Sequence, residues 1–228
     1  MGIEKKSDNK PGKSTRIVLV DDHSMFREGL VEVLSREPDL EICGQAEDSR
    51  QALEVIKVAK PDLAIVDLVL KNSHGIELIK DIRALLPKVA VLVVSMHQES
   101  LFAERALRAG ARGYITKQEA TKHLIGAIRK VIAGEVVASD SLTQIALGQL
   151  AGGEMPAKSQ SLGRLSDREV QVLELMGNGF NNHQIAERLR IDVTTIETYR
   201  ARIKEKLVLK DATELLQYAI RWAHRDPI

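Results

Sequence analysis

Four apolar runs in the first half of the chain each end in a residue that carries chemistry. Ile17-Val18-Leu19-Val20 runs into Asp21-Asp22, Leu63-Ala64-Ile65-Val66 into Asp67, Val89 to Val94 into Ser95, and Gly113-Tyr114-Ile115-Thr116 into Lys117. Short, β-branched and nearly continuous runs suit parallel strands covered on both faces. In an open parallel sheet, ligands bind outside the carboxyl ends of the strands. The pattern therefore predicts three carboxylates, a hydroxyl and an ammonium converging at one sheet edge.

Amphipathic stretches separate these runs. Met25 to Ser35 carries Phe26, Leu30, Val33 and Leu34; Asp48 to Lys60 opens with a capping box of Asp48 and Gln51 and buries Ala52, Leu53, Val55 and Ile56. Gly75 to Leu86 buries Ile76, Leu78, Ile79 and Ile82; Ser100 to Ala109 carries Leu101, Ala103, Ala106 and Leu107; Ala120 to Ala133 carries Leu124, Ile128, Val131 and Ile132. The sum is five βα units, an α/β doubly wound five-stranded parallel sheet spanning residues 16–134.

The flanks read differently. Residues 1–15 are polar, with Lys5, Lys6, Lys10 and Lys13, and read as a disordered arm. Ser139 to Gly163 is rich in Ser and Gly, so residues 135–163 read as a linker, with Leu142 to Leu150 apolar enough for one helix. Residues 164–228 show no strand signals. Ser166 with Glu169 opens a helix from Asp167 to Met176, and Asn181 with Gln184 opens a short one to Leu189. Asp192 caps Val193 to Leu207, and Asp211 with Glu214 opens the last helix, to about Ala223. The expectation is a second, all-α domain of four helices.

Composition adds limits. The chain has 228 residues, room for two modest cores, and a formal charge of +1, so charge must be read locally. The single cysteine, Cys43, excludes an internal disulfide and a CxxC metal site, which fits a reducing cytoplasm. No segment looks like a signal peptide or a membrane span.

Asp21, Asp22 and Asp67 at neighbouring strand ends repel one another, and such a cluster takes up protons or binds a cation. Oxygen ligands suit a hard ion such as Mg2+, and a carboxylate beside Mg2+ is a plausible phosphoryl acceptor. Lys117 would neutralise phosphoryl oxygens as a point charge, and Ser95 would offer them a hydroxyl. Tyr114 reads equally as a strand aromatic or as a switch. His23 and His97 lack a third ligand of matching type and read as loop residues near the site.

Val20-Asp21-Asp22-His23, Val66-Asp67-Leu68, Val94-Ser95-Met96-His97 and Tyr114-Ile115-Thr116-Lys117 together resemble the receiver domain of two-component response regulators. The resemblance implies a flavodoxin-like fold with Asp67 as phosphoacceptor. It further implies Mg2+ held by Asp21, Asp22, Asp67 and the Val69 carbonyl, Ser95 and Tyr114 as switch residues, and Lys117 as the stabilising lysine. Lys71 stands where many receivers have Pro, and Gln118 follows the lysine where Pro is frequent.

In the second domain, Asn181 to Leu189 and Val193 to Leu207 have helix-turn-helix spacing. Ile196, Ile203 and Leu207 should face its core, with Tyr199 beside them. Thr194, Glu197, Thr198, Ala201 and Arg202 then offer short polar groups to base edges, Thr195 joins the same DNA-binding set, and Arg200, Arg202, Lys204, Lys206 and Lys210 form a local basic cluster for phosphates. Leu165-Ser166-Asp167-Arg168-Glu169-Val170, Gly179 to Ala186 and Thr195 to Arg200 resemble the LuxR-type DNA-binding domain, and the whole chain resembles a NarL/FixJ-type response regulator. Arg190 and Val208 replace glycines frequent in that family.

The resemblance implies a cytoplasmic, phosphorylation-controlled transcription regulator, not an enzyme. It would take its phosphoryl group from a sensor histidine kinase and bind double-stranded promoter DNA, as a homodimer when phosphorylated. A haloacid-dehalogenase-type phosphatase also uses a strand-end Asp, but that pattern places a second Asp two residues on, where this chain has Val69. A constitutive DNA-binding protein with a receiver kept only for dimerisation would not need the acidic set.

Overall fold

The computed structural model describes residues 14–70, 73–96, 100–138, 164–189 and 191–223. The arm over 1–13, the helix expected at Leu142 to Leu150, and the expectations for Lys71, His97 and Arg190 lie outside the described residues. The first domain runs β1 (Thr15–Val20), α1 (Ser24–Ser35), β2 (Leu40–Ala46), α2 (Ser49–Ala59), β3 (Leu63–Val66), β4 (Val69–Leu70), β5 (Ser73–His74), α3 (Gly75–Leu85), β6 (Ala90–Ser95), α4 (Ser100–Ala109), β7 (Gly113–Thr116) and α5 (Lys117–Ile132). The second runs α6 (Asp167–Gly177), α7 (Asn182–Leu189), α8 (Val193–Lys206) and α9 (Ala212–Ala223).

Five strands form a parallel sheet in the order β2-β1-β3-β6-β7. Alternation along each strand splits the core in two. Ile17, Leu19, Leu63, Ile65, Leu92 and Val94 meet Leu30 and Leu34 of α1 and Leu124, Ile128 and Val131 of α5. Val18, Val20, Ala64, Val66, Val91 and Val93 meet α2, α3 and α4 on the other face. This is the doubly wound arrangement the continuous apolar runs required.

Local departures from the sequence reading have physical reasons. β2 sits at the sheet edge and is half-exposed along most of its length, so it lacks the apolar continuity of the central strands. Val69-Leu70 and Ser73-His74 pair antiparallel as a small hairpin between β3 and α3, too short to leave a periodic signal. Thr15 belongs to β1, its amide donating to the Asp39 carbonyl at 2.8 Å, rather than to the arm. α5 begins at Lys117, not Ala120, because Thr116 caps it in a full capping box with Glu119. Val33 is exposed: the sheet-facing strip of α1 is Leu30 and Leu34, and Val33 lies off it. Asp192 occupies the N-cap of α8 but makes no side-chain capping bond.

The helical domain packs α6 against α8 and α9 around Val170, Leu173, Met176, Ile185, Ile196, Ile203, Leu215, Ala219 and Trp222. Leu207 is only half-buried. Gly177 lets α6 cross α9 closely: a Cβ there would collide with the Ala219 carbonyl and lie 2.8 Å from its carbon. The two domains touch through α3 and α4. Phe102 meets Trp222 with ring centroids 6.4 Å apart. The Arg105 guanidinium donates to Asp167 Oδ1 and to the Leu165 carbonyl, each at 2.7 Å, and Lys80 reaches Asp167 at 3.2 Å.

Candidate functional site

Strand register builds the site. Val20 pairs with Val66, and Val66 with Val93, so Asp21 and Asp67 leave adjacent strand ends at one level. Ser95 and Thr116 pair one step further out. The Asp21 amide donates to the Ala46 carbonyl at 3.1 Å and the Asp67 amide to the Val20 carbonyl at 2.8 Å, which pins both carboxylates to the sheet. Gly75, first residue of α3, backs onto the loop after β3. A Cβ there would collide with the Asp67 carbonyl and lie 2.7 Å from Leu68 Cα. A side chain at that position would push Asp67 out of line.

Lys117, the first residue of α5, places Nζ 2.6 Å from Asp21 Oδ2 and 2.8 Å from Asp67 Oδ2. Its ammonium also lies 4.4 Å from the centroid of Phe26, an apolar wall with a favourable π face. Asp21, Asp67 and Lys117 are all buried. Asp22 stands at the rim, with Asp67 Oδ1 further inside accepting from the Val69 amide at 3.3 Å.

Three carboxylates therefore face one ammonium. Burial pushes the Asp67 carboxyl above its ordinary value, although Lys117 pulls it down. Burial also raises Asp22, with His23 opposing and Asp21 adding to the rise. Burial works against the Lys117 charge, yet Asp67 and Asp21 more than offset it and hold its pKa above the ordinary lysine value. The surplus is negative and confined, which is the condition for recruiting a cation. Oxygens of Asp21, Asp22 and Asp67 and a ring nitrogen of His23 all lie within 4.8 Å of one another. Asp22 Oδ1 is buried without an aligned hydrogen bond, an acceptor for which a cation is a fitting partner.

Ser95 is fully buried and hydrogen-bonded to the Tyr114 side chain. Tyr114 is itself buried, and that burial drives its phenol pKa well above the ordinary range. The ring thus sits inside beside the acidic site, in the electrostatic reach of Asp67 and of Glu174 on α6.

The second predicted surface divides. Thr194, Glu197, Thr198, Ala201 and Arg202 are exposed along α8, while Ile196 and Ile203 on its opposite side are buried. Thr198 Oγ1 donates to the Thr194 carbonyl at 3.0 Å, leaving its lone pairs outward. Thr195, Arg200 and Lys204 are half-buried. Arg200 donates to Asn182 Oδ1 of α7 at 2.7 Å, bracing the two helices. Lys206 Nζ lies 2.7 Å from Glu169 Oε2, a buried carboxylate of the α6 capping box. At the end of α8 the amides of Leu209 and Val208 bond back to the Lys204 and Glu205 carbonyls, with Val208 at φ +56°. That is a Schellman turn with valine in the left-handed position, as expected if the chain keeps the glycine geometry without the glycine.

Sequence reasoning missed two participants. The sequence pattern makes His23 a loop residue, yet its Nδ1 lies 3.3 Å from Asp21 Oδ1 and 2.9 Å from Asp22 Oδ1. Adjacency in Asp21-Asp22-His23 was the available signal. Asn182 carried no signal beyond its place near a helix start.

The geometry agrees with what the chain is similar to. The family model for the response regulator receiver domain matches residues 17–129, and that for bacterial regulatory proteins of the luxR family matches residues 163–219. The transcriptional regulatory protein LnrK of Bacillus subtilis (strain 168) is 32% identical over 213 residues, which cover 91% of this chain and 97% of LnrK. The nitrate/nitrite response regulator protein NarL of Escherichia coli (strain K12) is 31% identical over 214 residues, covering 93% and 96%. Among solved structures, RcsB from Salmonella enterica serovar Typhimurium, bound to promoter P1flhDC with the phosphomimetic BeF3-, aligns at a TM-score of 0.61 and 26% identity over 91% of this chain and 98% of that one. With paired acids and a lysine at the sheet edge and a helix-turn-helix behind them, the chain belongs to the response regulators that join a receiver domain to a LuxR-type DNA-binding domain.

Proposed function

We propose that Asp67 accepts a phosphoryl group from the phosphohistidine of a sensor kinase and that this controls promoter binding by α8. The observation that carries the reading is the confined surplus of three carboxylates over one ammonium at the sheet edge. In the transfer, the donor P–N bond breaks, a bond forms from phosphorus to an Asp67 carboxylate oxygen, and the donor imidazole leaves. Asp21, Asp22, Asp67 and the Val69 carbonyl are the oxygens to hold Mg2+, which when bound neutralises developing phosphoryl charge. Lys117, anchored at the start of α5, supplies fixed positive charge to the transferred group. Ser95 gives it a hydroxyl, and the exchange of that bond away from Tyr114 biases a two-state receiver. α6 stands near Tyr114, so a change there reaches the second domain directly.

We divide the chain into an arm at 1–14, a receiver at 15–134, a linker at 135–163 and a DNA-binding domain at 164–228. Thr194, Thr195, Glu197, Thr198 and Ala201 are the groups proposed to meet base edges, with Arg202 and Lys204 at phosphates. Arg200 and Lys206 serve that surface through Asn182 and Glu169. The working form on DNA is a homodimer in the cytoplasm, and the chain turns over no metabolite. Among the described residues no helix is long and apolar enough to cross a membrane. The test uses acetyl phosphate and Mg2+, read by intact mass and by gel shift on promoter DNA. Wild type should gain one phosphoryl mass and bind more tightly. An undiminished mass gain in Asp67→Asn would refute the acceptor, and equal DNA affinity with and without phosphodonor would refute the control.

A further inference from the structure

We propose that His23 is a nitrogen ligand of the cation held by Asp21, Asp22 and Asp67, and that it tilts the site from Mg2+ toward a first-row transition ion such as Mn2+ or Zn2+. This rests on the reading of the acidic cluster as a cation site.

Four observations converge on the imidazole. Its Nδ1 lies 3.3 Å from Asp21 Oδ1, 2.9 Å from Asp22 Oδ1 and 3.9 Å from Asp67 Oδ2. Its backbone amide donates to Asp21 Oδ1 at 2.8 Å, which ties the residue to the rim of the cluster rather than leaving it on a loose loop. It occupies the N-cap of α1 without making a side-chain capping bond. That position favours Ser, Thr, Asp or Asn, whose oxygens satisfy helix amides. A residue that breaks a local rule without local gain points to a functional demand. Finally, its side chain is 59% exposed, so the ring can rotate onto a cation without disturbing the core.

The chemistry follows from the donor set. Oxygen-only sites favour Mg2+, which keeps most of its waters. Adding a neutral imidazole favours first-row transition ions, whose affinity for nitrogen rises along the series while that of Mg2+ does not. The bland rival is that His23 only screens the carboxylates as a hydrogen-bond donor or cation. The rival and the proposal part company over a metal–nitrogen bond.

The experiment uses the full, unphosphorylated chain with Mn2+ as the probe. Free-ion EPR signal gives Mn2+ affinity, competition gives Mg2+ affinity, and pulsed EPR detects directly bound 14N. Wild type should show a coordinated nitrogen. His23→Asn and His23→Gln should lose it and weaken Mn2+ about tenfold while leaving Mg2+ affinity nearly unchanged, a selectivity change of about 1.4 kcal/mol. Mn2+ bound by wild type without nitrogen coupling overturns the ligand assignment and leaves the oxygen site standing, as does equal weakening of both ions in both variants. Mn2+ affinity unaltered in Asp22→Asn overturns the site itself, and the inference with it.

Discussion

Removing the Lys206 side chain should cost stability in the helical domain rather than charge at the DNA surface. Its ammonium lies 2.7 Å from Glu169 Oε2, and Glu169 is 2% exposed. A fully buried carboxylate stripped of its partner costs about 3–5 kcal/mol. Two features lower that here. The Lys206 side chain is 38% exposed, so water can reach the gap, and the Ser166 amide still donates to the same Glu169 oxygen at 2.6 Å. The cost of Lys206→Ala should then be about 1–3 kcal/mol. Trp222 is the chain's one tryptophan and is buried in α9 beside Phe102, so its fluorescence follows unfolding of this domain together with loss of the Phe102 contact. With a urea m-value of about 1–3 kcal/mol/M, the midpoint should fall by roughly 1 M. The pH dependence has a defined sign. Burial pushes the Glu169 carboxyl up, but Lys206 and Ser166 outweigh it and hold its pKa below the ordinary 4.5. A depressed folded value stabilises above the unfolded pKa and is lost as pH falls through the folded one. The gap between wild type and Lys206→Ala should therefore close below pH 4.5. Lys204→Ala is the contrast: it should flatten the salt dependence of DNA binding by about one unit of slope and leave the Trp222 midpoint in place. A Lys206→Ala variant with an unmoved midpoint and a flattened slope would refute the argument.

Val208→Gly should stabilise the same domain by about 1 kcal/mol, because the left-handed conformation costs an L-residue about 1–2 kcal/mol and glycine's extra chain entropy returns only part of that; a lowered Trp222 midpoint would contradict it. Asp67→Asn should raise the thermal midpoint of the metal-free receiver at pH 7. Burial raises the folded pKa of Asp67, so its contribution to stability falls as pH rises from 3.8 through the folded value, and the gain in the variant should shrink as pH is lowered toward 3.8. Circular dichroism melts across pH check this, and a less stable variant at pH 7 would defeat it. Arg105→Ala removes two 2.7 Å bonds between α4 and the start of α6, worth about 1–2 kcal/mol together, and should expand the unphosphorylated chain in small-angle scattering; an unchanged profile would show that the Phe102–Trp222 contact and the Lys80–Asp167 pair suffice to hold the domains.

What the sequence showed and what it hid follow from the reach of each interaction. The strand ends were legible because β1, β3, β6 and β7 are apolar almost throughout, and a parallel sheet puts all their carboxyl ends on one edge. β2 was not, because an edge strand with one open side keeps no such run. Capping signals were legible because cap and partner are three residues apart: Ser166 with Glu169 and Asn181 with Gln184 both form reciprocal bonds. The basic cluster on α8 was legible only as a count. Which of its cations is free depends on Asn182, 18 residues from Arg200, and on Glu169, 37 residues from Lys206, and no period or spacing announces partners at those separations. The same holds for Phe102, which counts as ordinary core in α4 until the second domain sets Trp222 beside it. A charge or an aromatic on a helix therefore has a chemical identity in the sequence but acquires a role from what the fold lays against it. Arg202 is exposed on α8 and open to the contact proposed for it, whereas Lys206, four residues on and identical in sign, is held against a buried carboxylate of its own domain.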